Sequence, residues 1–185
     1  MAFNLQSKTL KMGIIGHGFV GKAVDFGFKN TYEDEYGVEK YLVDPRYKTS
    51  VDTMFAAMTP DIIFVSVPTP MGENGFIDSS IIMKVFEDIK KYSNDILVVV
   101  KSTVTPNKLE EIYNCYNRII YNPEFLRERS ANDDFINSPM LVIGGENPSD
   151  QIFVKYVYDR FSKCEPCPVH FVDLKAAALI KYTIN

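Results

Sequence analysis

The sequence predicts an α/β protein: a doubly wound, mainly parallel sheet with helices on both faces. Two observations carry this. Short apolar runs alternate with amphipathic stretches along the whole chain, and most of those runs are continuously apolar, as in Ile62-Ile63-Phe64-Val65 and Leu97-Val98-Val99-Val100. A strand with no polar alternation is buried on both faces, and parallel strands joined through helices are the usual way to achieve that.

The elements follow in order. Residues 11–15 form a first strand that feeds a glycine-rich turn, and 19–28 read as a helix with Phe19, Val20, Ala23, Val24 and Phe28 on one face. Residues 38–43 are a second strand and 51–58 a short helix, and the third strand begins at Asp61. The clearest amphipathic helix spans 78–91, where Ile81, Ile82, Val85, Phe86 and Ile89 recur at helical spacing. A fourth strand covers 96–100. Pro106 suits the first turn of the next helix, and 118–121 are a fifth strand. Residues 140–143 run into a Gly-Gly turn, 149–161 are helical, 169–172 are a last strand, and Asp173 can cap a helix that continues to Asn185. This divides the chain into a domain over 1–172 and the start of a connecting helix over 173–185. The helix is still running at Asn185 without a glycine or proline stop signal, so the chain is expected to be a fragment or truncated product of a longer protein.

Composition narrows the function classes. With 185 residues, 46% of them hydrophobic and 24% charged, the chain can bury one substantial core as a soluble globular protein. A net charge of −4 with scattered basic residues leaves no electrostatic footprint for nucleic acid. No signal peptide and no membrane-length apolar run is present, which points to a cytoplasmic protein. The three cysteines, Cys115, Cys164 and Cys167, argue against a disulfide framework. Cys164 and Cys167 have CxxC spacing, but the only histidines are His17 and His170, so no metal site is expected. Pro166 and Pro168 make that segment a loop leading into a strand rather than a redox helix start.

The turn after the first strand is Gly16-His17-Gly18-Phe19-Val20-Gly21, a GxGxxG spacing between a strand and a helix. In that context the first glycine makes the tight turn, the second admits a pyrophosphate to the backbone, and the third lets helix pack on strand. The helix start then offers free N–H groups and partial positive charge. This is the Rossmann-type dinucleotide signature. Roughly twenty residues on, at the end of the second strand, Asp44 can accept both adenosine ribose hydroxyls and repel a 2′-phosphate, which favours NAD over NADP. Arg46 lies close enough to soften that preference. His17 reads as a spacer with a backbone role.

In an open parallel sheet the ligand lies outside the carboxyl ends of the strands. The segments there are Val67-Pro68-Thr69-Pro70, Lys101-Ser102-Thr103-Val104 and Asn122-Pro123-Glu124-Phe125-Leu126-Arg127-Glu128. Their hydroxyls, amide and carboxylates suit a nicotinamide and a polar substrate. Glu124 and Glu128 would share a face if their segment is helical.

These three segments, with Gly13 to Gly21 and Ile180-Lys181-Tyr182-Thr183-Ile184-Asn185, resemble the UDP-glucose 6-dehydrogenase / GDP-mannose dehydrogenase family in order and across the whole chain. The resemblance implies oxidation of a nucleotide sugar's 6-hydroxyl to a carboxylate with two NAD, UDP-glucose being the first candidate substrate. It implies that Gly16, Gly18, Phe19, Val20, Gly21, Asp44, Thr69, Thr103 and Glu128 hold the cofactor. Thr103 would also place a catalytic water, and Glu124 would do acid–base work. Lys181 and Asn185 would stabilise oxyanion charge, and Phe125, Leu126, Arg127, Glu128 and Lys181 would approach the sugar. Dimerisation through the C-terminal helix is a further implication.

The chain departs from that family in one decisive respect. The family's reactive cysteine lies in a Gly-Gly-x-Cys-Phe-Pro-Lys-Asp segment, and no such segment occurs here. The expected behaviour is therefore NAD binding without completed oxidation unless the missing half is supplied. Two alternatives stay open: a non-catalytic or trans-complemented NAD-binding module, and an enzyme of the β-hydroxyacid dehydrogenase group, which shares the glycine signature and a Lys-x-x-x-Asn helix.

Overall fold

The computed structural model describes residues 7–31, 34–72 and 75–184. Seven strands form one sheet in the order β2-β1-β3-β4-β5-β6-β7: β1 (Thr9–Ile15), β2 (Gly37–Val43), β3 (Ile62–Val65), β4 (Leu97–Val100), β5 (Ile119–Tyr121), β6 (Leu141–Gly144) and β7 (Val169–Val172). The first five run parallel. β6 is antiparallel to β5, pairing Gly144 with Tyr121, and β7 is parallel to β6.

Strand residues alternate between two cores, as the period of two requires. On one face Ile15, Ile63, Val65, Val98, Val100 and Tyr121 pack under α2 (Val51–Ala57), α3 (Ser80–Lys90), α4 (Pro106–Cys115) and α7 (Leu174–Ile184). On the other, Met12, Ile14, Ile62, Phe64, Leu97 and Val99 pack under α1 (Phe19–Gly27), α5 (Ala131–Ile136) and α6 (Pro148–Phe161). α1 and α2 lie on opposite faces, so β2 and β3 flank β1 on either side. The chain order reverses between β1 and β3, which opens a crevice at their carboxyl ends.

Local chemistry sets the helix starts. Ser50 and Thr53 form a reciprocal capping box at α2, Thr105 accepts from Lys108 N–H ahead of Pro106, and Asn147 accepts from Ser149 N–H ahead of Pro148. Asp173 accepts from Ala176 N–H at 2.6 Å, as its position before α7 suggested. Several boundaries move inward from the sequence pattern, and two of them have a clear local cause. The 78–91 helix begins only at Ser80, because Asp78 accepts from Ser80 N–H at 2.8 Å and turns the chain first. The 19–28 helix ends at Gly27, because Phe28 adopts an extended conformation, bridges Ser162, and puts its ring among Phe64, Phe135 and Tyr158. α7 is part of this packing: Ala177 and Ala178 are fully buried, and a side chain at Gly144 would run into Ala177. Among the described residues no helix is long and apolar enough to cross a membrane.

Candidate cofactor and active site

Backbone bonds beyond each strand align four residues along the carboxyl edge. Gly16 donates to Val43 O, Ser66 to Ile15 O, Lys101 to Val65 O and Asn122 to Val100 O, at 2.8 to 2.9 Å. The loops after β3 and β4 are then tied together. Thr69 Oγ1 donates to Thr103 O at 2.7 Å, and Ser102 Oγ donates to Val67 O at 2.8 Å.

The three glycines of the turn have different reasons to be glycine. Gly16 has φ +85°, and a Cβ there would lie 2.6 Å from Ser66 O. At Gly21 a Cβ would lie 1.9 Å from Gly16 O. At Gly18 a Cβ would meet nothing within 4 Å, so the open space there belongs to whatever approaches the turn. Gly18 starts α1 without a side-chain cap, and no acidic residue stands in its first turn. Ser66 Oγ, beside the turn, is buried without a hydrogen-bond partner. Open space, uncapped N–H groups and an orphaned hydroxyl at the sheet's switch point fit a dinucleotide pyrophosphate.

Asp44 stands at the end of β2, 7% exposed. Oδ2 accepts from His17 N–H at 2.8 Å, and Oδ1 accepts from Arg46 N–H at 3.0 Å. The Arg46 guanidinium contacts both oxygens, Nε to Oδ1 at 2.8 Å and Nη2 to Oδ2 at 2.9 Å. The guanidinium holds the carboxyl well below the usual carboxylate range. His17 has the backbone role expected of it, but its ring does more. Nδ1 pairs with Tyr47 OH at 2.7 Å and Nε2 with Asp25 at 3.2 Å, and Asp25 in turn meets Lys40 at 3.2 Å. The glycine turn is thus braced from β2, α1 and the Pro45–Tyr47 turn, an arrangement not visible in the sequence.

Glu124 and Lys181 form the second centre. Both are buried, with Nζ 3.1 Å from Glu124 Oε1 and 2.5 Å from Glu124 O. The other carboxylate oxygen accepts from Leu126 N–H at 2.6 Å, and the ammonium lies 5.6 Å from the centre of the Phe125 ring. Removing either partner would leave a buried charge, at a cost of about 3–5 kcal/mol. Lys181 reaches Glu124 because α7 folds back onto the β5 end of the sheet. Asn185 lies outside the described residues.

Beneath Glu124, Lys101 Nζ donates to Asn122 O and Oδ1, Tyr158 OH donates to the same Oδ1, and Asn122 Nδ2 donates to Val142 O. This network fixes the loop that carries Glu124 to Glu128. Burial pushes Lys101 down to about 8.

Glu124 and Glu128 do not share a helix face. Pro123 and the Glu124–Leu126 hydrogen bond keep the segment irregular, and Glu128 opens a separate 3-10 turn, Glu128–Ser130. Glu128 is exposed and lines a cleft of about 670 Å³ with Gly18, Phe19 and Arg46. The structure thereby brings Gly18, Phe19 and Glu128, all expected on the cofactor side, together from distant sequence. Arg127, expected near a sugar, is committed to Asp134, with Nη2–Oδ1 at 2.7 Å. Thr103 is half-buried beside Thr69. Leu126, Cys164 and Cys167 line a different cavity of about 280 Å³ shared with Lys101 and Glu124. Burial pushes both thiols up, which keeps them protonated and poor nucleophiles. Among the described residues no cluster of His, Cys, Asp and Glu could hold a metal ion.

Residues 30–162 match the NAD binding domain of the UDP-glucose/GDP-mannose dehydrogenase family. This chain belongs to that family. The UDP-glucose 6-dehydrogenase of Rickettsia conorii is 36% identical over 170 residues, covering 82% of this chain and 36% of that protein. The GDP-mannose 6-dehydrogenase of Pseudomonas aeruginosa is 29% identical over 156 residues, covering 76% and 35%. In fold, a UDP-glucose dehydrogenase from Pyrobaculum islandicum superposes with a TM-score of 0.78 at 24% identity, over 99% of this chain and 50% of that one. The chain spans about a third of the length of the curated UDP-glucose 6-dehydrogenases it matches. It is the NAD-binding domain of a UDP-glucose/GDP-mannose dehydrogenase family member, and the glycine turn precedes the stretch that the family match covers.

Proposed function

We propose that this domain serves a nucleotide-sugar 6-dehydrogenase, an enzyme that oxidises a sugar 6-hydroxyl to a carboxylate with two NAD, UDP-glucose being the first candidate. The observation that carries this reading is the buried Lys181–Glu124 pair beside the cofactor edge of the sheet. A bound NAD supplies the hydride acceptor. Gly16, Gly18, Phe19, Val20 and Gly21 hold its pyrophosphate, Asp44 its adenosine ribose, and Thr69, Thr103 and Glu128 its nicotinamide end. Lys181 presents a desolvated ammonium to oxygen charge that develops on the sugar, where a preorganised donor is most effective. Glu124, held by Lys181 and Leu126 N–H, is placed to accept and return a proton. The backbone around Phe125, Leu126 and Arg127 borders the sugar, the Arg127 side chain staying on Asp134, and Asn185, four residues after Lys181 in the sequence, is the proposed amide donor.

The domains proposed are the NAD-binding unit over 1–172 and, from 173, a helix leading to the remainder of the enzyme. That helix is also the proposed homodimer contact, and the cytoplasm, where nucleotide sugars and NAD occur together, is the proposed location. The reactive thiol is proposed to come from outside this chain, since no Gly-Gly-x-Cys-Phe-Pro-Lys-Asp segment occurs in it and burial pushes the Cys164 and Cys167 thiols up. The chain alone therefore binds NAD without completing the oxidation. Purified chain mixed with NAD and UDP-glucose, followed by NADH absorbance, is expected to give no sustained turnover. Continued NADH production by the chain alone contradicts the reading.

A further inference from the structure

The carboxylate assigned to the adenosine ribose is already fully engaged. A carboxylate offers about four acceptor positions, and on Asp44 two are taken by backbone N–H groups of His17 and Arg46, two by the Arg46 guanidinium. The same guanidinium also donates to His17 O, so it bridges the glycine turn and the β2 end across the mouth of the ribose position. The backbone donors are fixed by the fold. The Arg46 side chain is 54% exposed, while that of Asp44 is 9% exposed, and Arg46 borders the cleft shared with Gly18 and Glu128. A vicinal diol needs two acceptor positions, and the guanidinium is the only partner of Asp44 in this set that can leave without unfolding the turn.

We propose that Arg46 is a latch on the ribose site: it pairs with both oxygens of Asp44 and is displaced by the 2′,3′-diol of an adenine nucleotide. The inference rests on the assignment of Asp44 to the ribose. The latch makes cofactor entry competitive with an internal ion pair. Through its bond to His17 O it also braces the turn, and it lowers affinity for every ligand that enters through the diol. Because the pair is largely exposed on one side, the effect is modest, a two- to fivefold change on the order of an exposed ion pair.

The test titrates the whole chain with ADP and with 2′-deoxy-ADP by calorimetry, in the wild type and in the Arg46→Ala, Arg46→Lys and Asp44→Asn variants. The proposal expects Arg46→Ala to bind ADP about two- to fivefold tighter, with a smaller gain for 2′-deoxy-ADP and an intermediate result for Arg46→Lys. It also expects the Arg46 Nε–H resonance of the wild type to shift on ADP addition. If ADP binds the wild type more tightly than Asp44→Asn, but Arg46→Ala binds it equally or more weakly, the latch is overturned while the ribose assignment stands. If Asp44→Asn binds ADP as well as the wild type does, the ribose assignment falls and the latch falls with it.

Discussion

Lys101 and Asp44 are two ionisable side chains at strand ends, and the fold treats them in opposite ways. Asp44 is stabilised in its charged form by a cation and two N–H groups, whereas the buried Lys101 donates to the neutral oxygens of Asn122, and burial brings it down to about 8. In the unfolded chain a lysine titrates near about 10.4. Between these values the unfolded state holds a proton that the folded state has released, so folding stability gains from Lys101 as pH rises through that window. Below about pH 8 the full cost of charging the buried amine is present. Tyr116, raised to about 12 by burial, opposes this from about pH 10 upward, where the unfolded tyrosine ionises first. Urea melts are therefore expected to show a component that increases from pH 8 to 9.5 in the wild type and is missing in Lys101→Met. Equal slopes in the two proteins contradict the assignment. The place of Asp44, at the end of the strand that follows the glycine turn and its helix, could be read from the sequence. The bracing of His17 by Tyr47, Asp25 and Lys40 could not, since those residues meet only when α1 packs against β2 and carry no periodic signal.

At the scale of elements, the strand–glycine–helix unit is the part most fully written in the chain. Its hydrophobic alternation, its turn and its acidic partner all point to one geometry, and the structure adds the contact distances that make it obligatory. Alanine at Gly21 puts a methyl group 1.9 Å from Gly16 O, a clash with backbone that only movement of α1 away from β1 relieves. Gly21→Ala is expected to lower stability by about 1–3 kcal/mol, as overpacking does, and to abolish NAD binding. Gly18→Ala, with open space around its Cβ, is expected to leave stability nearly unchanged while still weakening NAD. A Gly18→Ala protein that loses stability as severely as Gly21→Ala would contradict the division of roles among the glycines. The Asn122 to Glu128 segment was legible in its residues but not in its shape. Spacing of four suggested a shared helix face for Glu124 and Glu128, whereas a proline and one side-chain-to-backbone bond were enough to prevent it. Such local competition leaves no trace in hydrophobic periodicity.

For the molecule as a whole, the mainly parallel sheet between two helical layers followed from the alternation of elements, because buried parallel strands leave continuous apolar runs. The reversal at β6 did not follow. Its run, Leu141 to Ile143, is as apolar as the parallel strands, so its direction leaves no mark in the residues. The meeting of Lys181 with Glu124 likewise depends on α7 returning to the β5 end, a tertiary event. Together these features place a crevice at the β1–β3 switch point and a charged pair at the β5 end of the same sheet edge. Membership of the UDP-glucose/GDP-mannose dehydrogenase family agrees with that layout. The most direct measurement is a calorimetric titration of the purified chain with NAD and with NADP, repeated on Asp44→Asn. The account predicts saturable, one-site NAD binding, weaker binding of NADP, and a loss of NAD affinity of about tenfold in Asp44→Asn, as expected when a buried charge-assisted hydrogen bond is removed. Absence of NAD binding by a folded wild-type chain, or NAD binding indifferent to Asp44, would contradict it.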